Sequence, residues 1–395
     1  MNYPLQEKNN RQVAHWLLLG VAMIVIQILL GGITRLTESG LSITEWKPIT
    51  GTLPPLNDAA WVAEFDKYKN TDQFKYVHSS FSLSQFKFIF FWEWFHRVWA
   101  RLMGMVFIAG FVYFIVKKKF SRPMISPMIV LFLLGALQGA IGWLMVKSGL
   151  VPEKFYVGHV ELTTHFLAAV ILLVYTLWFA LGLLLNFKQK LLNAPIKNLL
   201  VVIAVLLLIQ LIYGGFMAGL RAGQTAPTWP SINHAMLPPG MMEMQPAPSN
   251  FFNNPLLVHF IHRGLAYLLF ILAIVFFFVS KNLTVNTLFA KYRLAFIVLV
   301  MCQVLLGIVT VLNAANLKVL VVLGVLHQFV AILVVMALTT LLFLVTQKNN
   351  CGSRIILINI FAMKWAIQKL IPTENVRWQD LSRQVAGASC AKEYI

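Results

Sequence analysis

Residues 27–32 read QILLGG, and residues 210–215 read QLIYGG. Each lies toward the end of an apolar run of about 20 residues, the length that crosses the hydrocarbon core of a bilayer. The offset between them is 183, and the same offset carries Gly40 to Gly223, Trp46 to Trp229 and Pro55 to Pro238. Further along, the register drifts as loops shorten. His96-Arg97 matches His262-Arg263 at 166, Gln138 and Gly142 match Gln303 and Gly307 at 165, and His165 matches His327 at 162. Glycine, glutamine, tryptophan and His-Arg positions that recur in one order mark an internal repeat.

The composition names the solvent. The chain has 395 residues, 59% apolar and only 12% charged, with a mean hydropathy of +0.75. Soluble domains carry about a quarter charged residues, so lipid surrounds this one. Apolar runs fall at 14–34, 94–116, 124–146, 160–186, 198–219, 256–280, 294–312 and 318–346. The expected fold is therefore all-α and polytopic, with eight transmembrane helices arranged as two pseudo-symmetric four-helix bundles. Residues 1–190 form the N-terminal half, 191–346 the C-terminal half and 347–395 a cytoplasmic tail. The tail segment SRIILINIFAMKWAIQKL suits an interfacial helix better than a ninth span.

The formal net charge of +18 invites a nucleic-acid reading, but the basic residues are placed for topology. Lys8 and Arg11, Lys117 to Lys119 and Arg122, Lys188, Lys190 and Lys197, and Lys281, Lys291 and Arg293 all fall in alternate connections. Those connections face the cytoplasm, so both termini are inside and anionic lipid is the partner of the charge. Nucleic acid is excluded as a partner. The polar N-terminus lacks the short apolar core and cleavage site of a secretory signal and the features of a mitochondrial presequence. A bacterial cytoplasmic membrane is the expected location. Cys302, Cys351 and Cys390 are too scattered for a disulfide framework or a redox pair. The long loops at 35–90 and 220–254 lie outside and are expected to cover the outer mouth of the bundle.

Nine histidines are present. His15, His78 and His234 lie at the inner end of the first helix or in outer loops and read as ordinary polar residues. His96, His165, His262 and His327 fall on the second, fourth, sixth and eighth helices, within about nine residues of the outer end of each. Four imidazoles at matched depth, one repeat-related pair in each half, point to axial ligands of two haems. Zinc would gather three or four ligands at one place, often with carboxylate or thiolate. Arg97 and Arg263 follow two of these histidines and are candidates for binding haem propionates. His159 and His259 lie nearby, and His259 is a supporting group or an alternative ligand. Glu93 precedes His96 by three residues and shares its helical face. Its repeat mate is His259, so only the first half sets a carboxylate beside its ligand. A carboxylate there can move protons or stabilise positive charge. The competing reading is a helix-start carboxylate near a positive dipole end.

The segments GGITRLTESGLSITEWKPITGTLPP, EWFHR at 93–97, HFIHRG at 259–264 and LHQ at 326–328 together resemble haem A synthase over residues 10–346. That family consists of eight-helix proteins built from two four-helix halves. They oxidise a methyl group of haem O to the formyl group of haem A by two successive hydroxylations and loss of water, for aa3-type terminal oxidases. The resemblance implies that His96 and His165 hold the substrate haem, that Glu93 is the catalytic carboxylate, and that His262 and His327 ligate a haem b. It implies haem O synthase and an electron donor as partners, and a homo-oligomer is compatible with it. Some members carry a cysteine pair in an outer loop, which this chain lacks. Two other functions fit this placement of the histidines less well. A di-haem b-type cytochrome, such as a quinol or ferric reductase, would place haems near both membrane faces. A transporter with parallel repeats would place its site near the midplane.

Overall fold

The computed structural model describes residues 3–45, 50–185, 191, 193–283 and 286–346. Trp46, Lys188, Lys190, Cys351, Cys390 and the expected interfacial helix of the tail lie outside the described residues. The described chain is helical: α1 (Tyr3–Leu36), α2 (Asp58–Lys69), α3 (Asp72–Tyr76), α4 (Leu83–Val116), α5 (Arg122–Gly149), α6 (His159–Leu184), α7 (Ala194–Leu220), α8 (Ala222–Thr225), α9 (Asn250–Asn253), α10 (Pro255–Val279), α11 (Thr287–Leu312) and α12 (Leu317–Val345). Eight of these, α1, α4, α5, α6, α7, α10, α11 and α12, are long and apolar enough to cross a membrane. The chain is a multi-pass membrane protein.

α1, α6, α7 and α12 form the centre. α1 packs on α6 and α12, α6 packs on α7 and α12, and α7 packs on α12. α4 packs on α1, α5 on α6, and α10 and α11 on α7 and α12 respectively. Burial follows this plan. Half of the α1 span and 44% of the α6 span are inside the protein, against 6% for α4 and for α5. The outer faces of α4 and α5 carry exposed Leu, Ile, Val and Phe, as a lipid-facing surface requires.

One boundary differs from the sequence expectation in a way that matters. The second spanning helix begins at Leu83, not near residue 94. Its 34 residues extend about 50 Å, well beyond the roughly 30 Å of a bilayer core. Ser82 starts it with a full capping box, its hydroxyl and Gln85 exchanging hydrogen bonds across the first turn. The added turns are aromatic rather than aliphatic. Phe86, Ile89 and Phe90 bury against Phe65 and Tyr68 of α2. A hydropathy reading stops short there because Ser84, Gln85 and Lys87 interrupt the apolar run. His96 consequently lies more than three turns inside its helix, deeper than the expected nine residues.

A candidate haem-binding site

Each of the four histidines faces the membrane-spanning helix that precedes its own in the chain, and the contact is built the same way each time. Gln27 and Gly31 of α1 meet His96 on α4. Gln138 and Gly142 of α5 meet His165 on α6. Gln210 and Gly214 of α7 meet His262 on α10. Gln303 and Gly307 of α11 meet His327 on α12. The glutamine and glycine are four residues apart, so they share one helical face. The glutamine Nε2 lies 2.9 Å from His96 Nε2, 3.2 Å from His165 Nδ1, 3.4 Å from His262 Nε2 and 3.1 Å from His327 Nε2. The glycine leaves room for the ring. A Cβ placed on Gly142 would stand 2.7 Å from His165 Cε1, and one on Gly307 would stand 3.1 Å from His327 Cε1.

All four histidines line one continuous cavity of about 1000 Å³, at the upper end of the 300–1,000 Å³ common for ligand pockets. Nδ1 of His262 and of His327 is buried and has no hydrogen-bond partner among the described residues. A buried imidazole nitrogen left without a partner is costly unless a ligand takes it. No group of three or more His, Cys, Asp or Glu could hold a metal ion among the described residues, so the chemistry of the donor set fits paired axial ligands rather than a closed zinc cage.

Glu93 is 3% exposed and fully engaged. One oxygen accepts from the Ser42 hydroxyl at 2.7 Å and from the Ile43 backbone N–H at 2.9 Å. The other accepts from Arg97 at 2.5 Å. Arg97 also donates to the Ile43 carbonyl at 3.1 Å. The second half repeats this scheme with the carboxylate exchanged for an imidazole. Arg263 donates to His259 Nε2 at 2.9 Å and to the Ser231 carbonyl at 3.2 Å. Both arginines thus tie a spanning helix to the loop above it, and both line the cavity. His259, 2% exposed, occupies the place of Glu93 as Arg263's partner. His159 begins α6, where its ring sits edge-on to Phe216 at 5.6 Å.

A second polar cluster closes the site on the long-loop side. Glu38 pairs with Arg221, and His78 Nε2 lies 3.0 Å from Glu38. Tyr68 reaches His78 Nδ1 at 2.6 Å. Burial raises the Glu38 carboxyl, but the His78 hydrogen bond and the Arg221 and Arg35 charges outweigh it and hold the group below its ordinary value. Burial, with the Glu93 and Glu38 charges, pushes the Tyr68 hydroxyl up, so it stays protonated. His78, read from sequence as an ordinary loop residue, is therefore a buried link in this network.

The sequence reading picked out the histidines, Glu93 and the arginines, and the structure brings all of them to one cavity. It missed the four glutamines and the cluster at Glu38. The glutamine signal was present, since the pattern Gln-x-x-x-Gly stands once before each of the four histidines. Only the fold shows that it faces them.

Imidazoles lining an apolar cavity between membrane-spanning helices are suited to ligating haem iron, as haem-handling membrane proteins require. Residues 14–339 match the family described as cytochrome oxidase assembly protein, and the chain belongs to that family. Its curated relatives are named haem A synthase. The protein of Flavobacterium johnsoniae is 40% identical over 342 residues, covering 84% of this chain and 97% of the relative. That of Bartonella tribocorum is 38% identical over 333 residues, covering 84% and 91%. That of Parvibaculum lavamentivorans is 42% identical over 263 residues, covering 67% and 76%.

Proposed function

We propose that this protein is a haem A synthase, an oxidoreductase that converts a methyl group of haem O to the formyl group of haem A. Its family and the shared name of its relatives carry the reading, over the rival of a purely electron-carrying cytochrome. Haem O is the substrate and haem A the product. His96 and His165 would hold the substrate, and His262 and His327 would hold a resident haem b, which supplies one-electron transfer when bound. Residues 1–190 and 191–346 would be the two functional halves.

The unequal positions 93 and 259 support this division. Glu93 presents a carboxylate held by three donors at the cavity edge, three residues from His96. Placed that way, the carboxylate stands beside the substrate site, where it can stabilise developing positive charge or exchange a proton with the substrate side. His259 offers no carboxylate. Arg97 and Arg263, on the cavity wall, are the candidates for pairing with propionates. The described glutamines and glycines orient the rings, and the apolar lining excludes water from the reacting methyl group.

The setting proposed is a bacterial cytoplasmic membrane, with both termini inside, haem O synthase supplying substrate and a separate electron donor. Expression of the full chain with a source of haem O tests the function. Extracted haems should include haem A, and their absence with haem O present and the protein folded would overturn the proposal. His262→Ala should abolish the haem b spectrum. Retention of that spectrum would move the resident ligand elsewhere, with His259 the first alternative.

A further inference from the structure

Gln27, Gln138, Gln210 and Gln303 are each placed by a different helix against a different histidine, and each carries the same defect. The side-chain oxygen of every one is buried without a hydrogen-bond partner among the described residues. Meanwhile its Nε2 faces an imidazole nitrogen. A buried amide oxygen left unpaired is destabilising, so four recurrences at equivalent places call for a physical cause. An imidazole that binds iron through one nitrogen carries its hydrogen on the other, and that N–H needs an acceptor. The amide has one, reached by a half-turn about its last torsion that exchanges oxygen and nitrogen.

We propose that these four glutamines are positioning residues for the iron-facing histidines. Each accepts the ring N–H through Oε1 and so fixes the tautomer that leaves the other ring nitrogen a free lone pair for iron. The proposal rests on the haem reading above. It also makes the two halves unequal. In the first half, Nε2 of Gln27 donates to the main-chain carbonyl of His96 at 3.3 Å, and that of Gln138 to the carbonyl of His165 at 3.1 Å. The half-turn there forfeits a hydrogen bond. Among the described residues, Gln210 and Gln303 make no such bond to His262 and His327, and they turn without that loss. The better acceptors therefore stand in the half assigned to the resident haem. The restrained ones stand where the haem has to arrive as substrate and leave as product.

The test uses full-length protein purified with haem b, reading haem content and midpoint potential by optical titration. An acceptor on the ring N–H strengthens the ligand and favours ferric iron. Gln303→Leu should raise the midpoint and weaken haem b retention about 10- to 100-fold. Gln303→Glu, nearly the same shape but a stronger acceptor, should keep haem b and lower the midpoint. A folded, haem-loaded Gln303→Glu protein with an unmoved midpoint would overturn the proposal. If Gln303→Leu does not fold, Gln303→Glu and the equivalent pair at Gln210 still decide it. A His327→Ala protein that keeps its haem b spectrum would instead overturn the ligand assignment, which separates the two failures.

Discussion

Glu93 has two readings that its contacts keep separate. Its bonds to Ser42, Ile43 and Arg97 make it a clamp on the loop, whatever else it does. Removing it entirely strips a partner from the Arg97 guanidinium, 16% exposed, and such losses commonly cost about 3 to 5 kcal/mol when the pair is buried. Glu93→Ala therefore confuses folding with catalysis. Glu93→Gln keeps an acceptor for Ser42 and Ile43, while it removes the charge and turns an amide NH2 toward Arg97. The expected outcome is normal haem binding with haem A formation reduced about 10²- to 10⁴-fold, the range for a lost acid–base group. Haem analysis of the two variants side by side checks it, and undiminished haem A from Glu93→Gln would reduce Glu93 to the clamp alone. Ser42 is the sharper case of what sequence conceals, because a serine in a loop of 40-odd residues has no periodicity to betray its partner 51 positions away.

At the scale of the helix, the distance between neighbours is set by glycine. The second glycine of each GG pair turns to a different neighbour from the first. Gly31 faces His96, whereas a Cβ on Gly32 would collide with Gln328 of α12; Gly214 faces His262, whereas Gly215 meets Thr163 of α6. One dipeptide thus admits a ring on one side and a central helix on the other. The closeness is graded, so the response should be graded too. Gly142→Ala would set a Cβ 2.7 Å from His165 and must move that ring, whereas on Gly214 the Cβ would lie 3.4 Å from His262. The first should perturb haem binding in its half, and the second should leave the haem b spectrum intact, as absorbance spectra of the two purified variants will tell. The extension of α4 is the other feature of this scale. Phe86 is fully buried in the aromatic cap, so Phe86→Ala should destabilise by about 3 to 5 kcal/mol, read as a lower melting temperature in detergent. A melting temperature equal to that of the parent would show that the cap contributes little.

In the whole molecule, the contacts between repeats reveal the symmetry. Arg35 donates to the Ala218 carbonyl and Arg221 to Glu38, and each pair is separated by 183 residues, the repeat offset itself. Contacts between a residue and its own repeat mate occur only beside an axis that relates the two halves. The Glu38–Arg221 pair is thus a junction between repeats that have diverged to opposite charges at one position. Glu38→Arg and Arg221→Glu should each destabilise the protein. The double exchange should recover part of the loss, with a coupling of about 0.5 to 3 kcal/mol by a thermal double-mutant cycle. Strict additivity would remove the pair from the account of how the halves are held. The carboxyl of Glu38 is held below its ordinary value of about 4.5 by His78, Arg221 and Arg35 against the effect of burial. Its stabilisation is therefore present above about pH 4.5 and lost as pH falls through the lower, folded value. Glu38→Gln should flatten that part of the acid-stability curve.

Eight spans, the repeat and the four histidines were legible because they depend on local quantities. Apolar run length meets bilayer thickness, and a costly imidazole in lipid stands out against its neighbours. Residues such as Gln27 and Gln303 were visible as repeat marks but not as partners of histidines, since the periodicity of one helix does not say which neighbour its face will meet. The start of α4 at Leu83 escaped for a related reason: its aromatic turns are buried by α2, and hydropathy averages cannot distinguish burial in protein from burial in lipid. Sequence alone therefore determined the kind of protein, its repeat and the four histidines that line the cavity. Tertiary structure decided which side chains meet them, that Glu93 clamps Ser42 and Ile43, and that Glu38 meets Arg221. Those facts lie in contacts between helices far apart in the chain, set by packing rather than by any local pattern.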